Sequence, residues 1–257
     1  MTLYEYPLNE RIRTFLRLEK AFRRFRFFRD GDDHNHHVQA LALLFDLLDL
    51  TGRNDIRSEL MTELQNQSTA LKTFRDSPGV SPEALERLLL EVSSAIRKLN
   101  SLGSGRPGQN IKDSEWLMSV RSRIMIAGGA TDFDMPSFWA WQNLPADRRQ
   151  RQLDDWHASF NELRQALQLS LRLLRESGKP EQLDATDGSC QHSLGGRTFQ
   201  MARIRVDETL GVVPDISANK YLLWIRFSTF DGLSRPTPIS RGVTFDLTLC
   251  NLESEPD

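Results

Sequence analysis

The chain has 257 residues, 39% hydrophobic and 26% charged, a composition that excludes disordered, collagen-like and amyloid-like classes and suffices for one large domain or two small ones. Its 33 basic and 35 acidic residues give a net charge of −2, which argues against a protein coated in nucleic acid but leaves local patches open. The most apolar stretch, Val38–Leu50, is short and carries Asp46 and Asp49, and the start MTLYEYPLNER lacks the basic end and apolar run of a signal peptide, so the expectation is a cytoplasmic chain without membrane insertion.

Helices are predicted first. From Met1 to Arg29 there are 8 basic residues against 3 acidic ones. A helix over 8–29, opening after Pro7, puts Leu8, Ile12, Phe15, Leu18, Phe22 and Phe25 on an apolar stripe and Arg13, Arg17, Lys20 and Arg24 on a basic one. That basic stripe is either a solvated face or a contact for a subunit or partner. Phe22, Phe25, Phe27 and Phe28 do not fit one stripe, so some of them need a second surface. Further helices are predicted at 36–50, ending at Thr51-Gly52, and at 54–76 with Asn54 as N-cap. The next runs over 82–100, opened by Ser81-Pro82, and is followed by one at 110–121 beyond the Gly-rich loop Ser101–Asn110. Pro145 opens a long helix over 145–178, whose Leu153, Trp156, Phe160, Leu163, Leu167, Ser170 and Leu174 form a packing seam.

Period two takes over later. Tyr221, Leu223, Ile225 and Phe227 alternate with Leu222, Trp224 and Arg226, and Val243, Phe245, Leu247 and Leu249 alternate with Thr244, Asp246 and Thr248. Thr198–Val206 is a weaker strand with Arg203 and Arg205 on one face. Short connections make the sheet antiparallel. The β-branched and aromatic residues of Ser122–Gly128 and Phe133–Trp141 also predict strand. The fold class is therefore α+β: helices, plus an antiparallel sheet drawn from 122–141 and 190–250. The domain expectation is a helical, dimerising part at 1–118 and 145–178, and a partner-binding β part at 119–144 and 179–257.

Catalytic patterns are absent from the sequence. There is no G-x-S-x-G elbow, no H-E-x-x-H and no Cys–His nucleophile pair. GSGRPG at 103–108 lacks the Lys-Ser/Thr of a phosphate loop. His34, His36 and His37 stand too close in sequence to converge readily on a metal, and Cys190 and Cys250 are too few for a disulfide framework or zinc site. No enzyme, metal or cofactor is expected, leaving a binding or assembly protein.

The blocks YEYPLNERIRTFLRLE (Tyr4–Glu19), LLDLTGRNDIRSELMTEL (Leu47–Leu64), RSRIMIAGGATDFDMPSFWAW (Arg121–Trp141) and ISANKYLLWIRF (Ile216–Phe227) resemble, in the same order, those of the ZapD family of bacterial cell-division proteins. The resemblance implies a non-enzymatic, cytoplasmic homodimer at the mid-cell ring that binds the C-terminal tail of FtsZ and bundles its filaments. It also implies a basic tail pocket. Arg53 in TGRND and Arg226 in WIRF match motif to motif, Lys220 falls at the basic position of NKY, and Arg203 on the neighbouring strand is a fourth member. Leu222 stands where some relatives have an arginine. Arg57 also matches a basic position but is left out of the pocket. The alternatives are a surface Arg226 paired with Asp246 across the sheet, and a nucleic-acid-binding protein using the basic first helix.

Overall fold

The computed structural model describes residues 1–53, 55–75, 77–101, 107–124, 126 and 130–252. The chain forms two compact units. One, the β unit, comprises Met1–Arg13, Thr69–Thr73 and Leu171–Asp257; the other, the helical unit, comprises Thr14–Ser68 and Phe74–Ser170. The α+β class holds, and among the described residues the strand pairings are antiparallel. Segment 119–144, expected in the β part, instead lies inside the helical unit, while Met1–Arg13 joins the strands.

Strand β1 (Thr2–Pro7) precedes α1 (Glu10–Arg29). Asn9 ends the strand and starts the helix, because its Oδ1 accepts from Ile12 N at 2.8 Å, the usual side-chain satisfaction of a free helix-start N–H. Helix α2 (His34–Arg53) starts after Asp33, and α3 (Ile56–Lys72) after Asp55, whose Oδ1 accepts from Ser58 N at 3.1 Å. The expected cap Asn54 lies outside the described residues. Helix α4 (Pro82–Ser101) opens as predicted, with Ala84 N donating to Ser81 Oγ at 3.3 Å.

The predicted 110–121 helix is two pieces, α5 (Gln109–Lys112) and α6 (Glu115–Ile124). The predicted strands over 122–141 form no strand among the described residues: 122–124 close α6, 132–134 are turn, and 136–141 lie in α7 (Pro136–Gln142). Ser114 caps α6 by accepting from Leu117 N at 3.2 Å. Pro136 stands at the start of α7, where its missing N–H costs nothing. The aromatic residues that suggested strand are spaced at i and i+3: Phe138 and Trp141 are buried and stacked at 5.7 Å. Trp116 and Trp156 complete their cluster, with Trp141–Trp156 centroids 6.0 Å apart.

The predicted helix over 145–178 breaks into α8 (Ala146–His157) and α9 (Asn161–Glu176), joined by a 3-10 turn at Ala158–Phe160. Asn110 Nδ2 donates to the carbonyl oxygen of Trp156 at 3.0 Å, and Ser159 Oγ receives Gly108 N at 3.0 Å. With an α8 carbonyl occupied by a side chain, the next turn tightens, and His157 and Phe160 fall in line three residues apart.

A buried guanidinium ties these helix ends together. Arg149, 5% exposed, donates from Nε to His37 Nδ1 at 2.8 Å, from Nη2 to Asp32 O at 2.8 Å, and from Nη1 to the carbonyl oxygens of Gln142 (2.9 Å) and Leu144. His37 Nε2 in turn lies 3.2 Å from Arg29 O. Burial, and then the charge of Arg149, lowers the His37 pKa, which suits a neutral ring accepting at Nδ1.

In the β unit, β1 pairs with β4 (Met201–Val206), β4 with β7 (Val243–Cys250), and β7 with β2 (Pro180–Ala185). A second sheet has the order β3 (Ser189–Ser193), β6 (Leu222–Thr229), β5 (Val212–Ala218). The chain passes from one sheet to the other at Asp187-Gly188, both at positive φ (50° and 71°), as a two-residue I′ turn requires. The inward rows, Ala202, Ile204, Val206, Phe245 and Leu247 against Leu223, Ile225 and Phe227, make one core between the sheets, with Phe227 and Phe245 5.2 Å apart. Every second residue therefore points away from it.

Replacing Arg149 with Met keeps the volume but leaves His37 and three carbonyl oxygens without their donor. Urea unfolding should show a loss of about 3 kcal/mol or more.

Candidate functional site

Arg226 sits on the central strand of the three-stranded sheet, between buried Ile225 and Phe227. Those neighbours fix its direction, so its guanidinium stands on the outer face. Strand register places Trp224 and Leu222 on that face, flanked by Ser189, Gln191 and Ser193 of β3 and by Asp215 and Ser217 of β5. Arg226 is exposed, and among the described residues it makes no hydrogen bond or ion pair. The acid opposite it is Asp215. Asp246, the alternative partner, lies in the other sheet opposite Arg205.

Lys220 precedes the strand in the β5–β6 connection. Its Nζ lies 5.9 Å from the ring centre of Tyr221, which is 62% exposed. Asn219 shapes this turn by accepting from Tyr221 N and Leu222 N at 2.8 and 2.9 Å. Extended chain begins only at Leu222, and Leu222 to Arg226 spans about 13 Å. The face is thus a strip with Arg226 toward one end and half-buried Trp224 and Leu222 along it, and Lys220 stands in the turn that leads into it.

Arg203 is placed differently. It projects from β4 on the side of the four-stranded sheet away from the core, so the sandwich separates it from Arg226. Its Nε donates to Glu5 Oε1 at 3.1 Å, and Arg175 holds Glu5 with Nε and Nη2, both at 2.8 Å. Burial raises the Glu5 pKa, but Arg175 and then Arg203 outweigh it, leaving the carboxyl below its ordinary value. The charge of Arg203 is spent on Glu5. Sequence reasoning missed this because Glu5 belongs to β1, a segment to which it assigned no strand.

Arg53 is the last residue of α2, in the helical unit; its side chain lies outside the described residues. Arg57 donates from Nη2 to Asn100 O at 3.2 Å. The basic stripe of α1 lines a groove of about 390 Å³ with Arg17, Lys20 and Arg24, but Asp46 and Asp49 of α2 line it too. Burial raises the Asp46 pKa while Arg24 opposes the shift, so the stripe is partly neutralised by its own chain.

Neither cysteine is disposed to act as a nucleophile. Burial raises both thiols, Cys250 to about 11, and the thiolate is the reactive form. Among the described residues no three His, Cys, Asp or Glu side chains gather as metal ligands would. Nor is any described helix long and apolar enough to cross a membrane.

These features define a class: a two-unit α+β protein with an exposed arginine, unpaired among the described residues, beside apolar side chains on a sheet face. A family model described as ZapD, cell division protein, matches residues 16–226. The chain belongs to the ZapD family of cell division proteins.

Glu5→Gln should leave Arg175 and Arg203 facing each other without a counter-charge and cost about 2 kcal/mol at neutral pH by chemical denaturation. The depressed Glu5 carboxyl contributes stability above its unfolded pKa of 4.5, lost as pH falls through its lowered folded value. The variant should lack that part of the acid transition.

Proposed function

We propose that this protein binds the C-terminal tail of FtsZ on the outer face of its three-stranded sheet and, as a homodimer, bundles FtsZ filaments to stabilise the division ring. The observation that carries the reading is Arg226, exposed and unpaired beside Trp224 and Leu222. A guanidinium grips a carboxylate with two parallel hydrogen bonds, and the adjacent apolar strip supplies contact area, which suits a disordered tail with acidic and apolar side chains. Lys220 extends the face, and the family motif gives Arg53, in the helical unit, a tail-binding role of its own. Arg203 acts through Glu5 on the fold rather than on the tail.

The reading is of a non-enzymatic, cytoplasmic protein acting at mid-cell. Two tail sites per dimer join two filaments, and tethering by the first contact raises the effective concentration for the second. The helical unit offers an exposed aromatic surface for dimerisation. Phe22 and Phe25 are buried within that unit, but Phe27 is 69% exposed, with ring contacts to Phe28 at 5.3 Å and His36 at 6.4 Å. The nucleic-acid alternative rests on exposed Arg17, Lys20 and Arg24, whose groove Asp46 and Asp49 partly neutralise.

The test is tail-peptide binding by fluorescence anisotropy. Arg226→Glu should weaken it at least tenfold, while Arg205→Glu, the same charge change on the four-stranded sheet, should leave it unchanged. Unaltered affinity in a folded Arg226→Glu protein removes Arg226 from the site. The native protein should pellet assembled FtsZ as bundles, fail to do so with tail-deleted FtsZ, and sediment alone at twice the chain mass. Binding to DNA that falls steeply with salt and survives Arg226→Glu would favour the alternative.

A further inference from the structure

A cavity of about 350 Å³ opens in the helical unit between α1, α8 and α9. Its apolar wall is Phe22 and Phe25, both buried, and His157 lines it beside them. The His157 ring stacks on Phe25 at 4.5 Å and 7° and meets Phe22 edge-on at 5.7 Å. The residue is 8% exposed, and its Nε2 is buried with no hydrogen-bond partner within 3.5 Å. Desolvation, and then the charge of Arg164, pushes its pKa down to about 4; Arg26 adds to the shift, while Asp154 and then Asn161 oppose it. At neutral pH the ring is therefore uncharged, and it retains one N–H to donate.

The charges around it are unevenly matched. Arg29 takes both acids that line the cavity. It binds Asp154 through Nε at 2.8 Å and through Nη2, and Asp30 through Nη1 at 3.1 Å. Arg164 donates to the neutral Gln168 at 3.2 Å and has no acidic partner among the described residues. Arg26 has no partner among the described residues. Burial, and then the charge of Arg26, lowers the Arg164 pKa, so the two guanidiniums repel each other across a partly dry space. An unpaired buried polar atom and two uncompensated cations at one cavity are each unfavourable alone. One anion relieves all three.

We propose that this cavity binds a phosphate-class dianion, free or carried by a small nucleotide, held by Arg26 and Arg164 with His157 at its base. Two planar guanidinium forks and a neutral N–H approach from three helices. A tetrahedral dianion matches both charges and has acceptors for every donor, whereas a single carboxylate leaves one cation unmatched. The volume lies at the lower end of small-ligand pockets. The assignment is independent of the tail face, since every residue in it lies in the helical unit.

The test is calorimetric titration of the full chain, at constant ionic strength, with inorganic phosphate, pyrophosphate, a nucleoside monophosphate and citrate. Saturable binding of one phosphate-class anion per chain is expected, weakened about tenfold to a hundredfold in Arg164→Gln, less in Arg164→Lys, and unaffected by Arg23→Gln on the exposed side of α1. Arg26 is exposed on its helix, so Arg26→Gln carries the same expectation should Arg164→Gln unfold. The His157 ring resonances should move on saturation. Tighter binding of the nucleotide than of phosphate identifies a carried phosphate, and equal binding a free one. Absence of saturable binding at millimolar anion, equal weakening in Arg23→Gln, or preference for citrate overturns the proposal.

Discussion

The β unit depends on the double burial of its two facing sheets. Leu223, Ile225 and Phe227 of β6 lie against Phe245 and Leu247 of β7, and a one-residue slip of β6 would expose all three and bury Arg226. Register is thus fixed by burial of the inward row, worth roughly 1.5–3 kcal/mol for each large apolar side chain. The outward row, Leu222, Trp224, Arg226 and Ser228, has its direction set without contributing to that core. This leaves it open to serve recognition, and an arginine held rigidly on a central strand loses less freedom on binding than one on a loop.

Four basic residues that look equivalent in the sequence have different physical positions. Arg203 is held in a Glu5–Arg175 cluster on one side of the sandwich, while Arg226 stands alone on the other. Charge-assisted contacts inside the chain stabilise the fold. Only a cation without an internal counter-charge has its full attraction left for a partner. The same comparison within the helical unit separates Arg29, satisfied by Asp30 and Asp154, from Arg26 and Arg164, which are not.

Much of this was legible in the sequence where the determinants are local. Ser81-Pro82 marks the start of α4, and the alternation in Lys220–Phe230 shows which way Arg226 points. The misread stretch, 122–141, is rich in aromatic and β-branched residues, a composition that strands and helix-packing clusters share; the i, i+3 spacing of Phe138 and Trp141 was the discriminating signal. Strand β1 escaped because Thr2 pairs with Val206, some two hundred positions away, and hydrophobic periodicity over six residues cannot reveal so distant a partner. Missing β1 hid Glu5, and with it the commitment of Arg203. The break at Ala158–Phe160 was equally hidden, because it follows from Asn110 reaching an α8 carbonyl. The cavity around His157 lies at that break.

The central claim is that the outer face of the three-stranded sheet is the surface that receives the tail. The most direct measurement is photo-crosslinking of a tail peptide, with the reactive group placed beside its acidic residues, to the full-length protein, followed by mass-spectrometric mapping. The account predicts crosslinks on Leu222–Ser228 and on the facing residues of β3 and β5, competed away by unlabelled tail. Competed crosslinks confined to the α1 groove or to the outer side of the four-stranded sheet would contradict it.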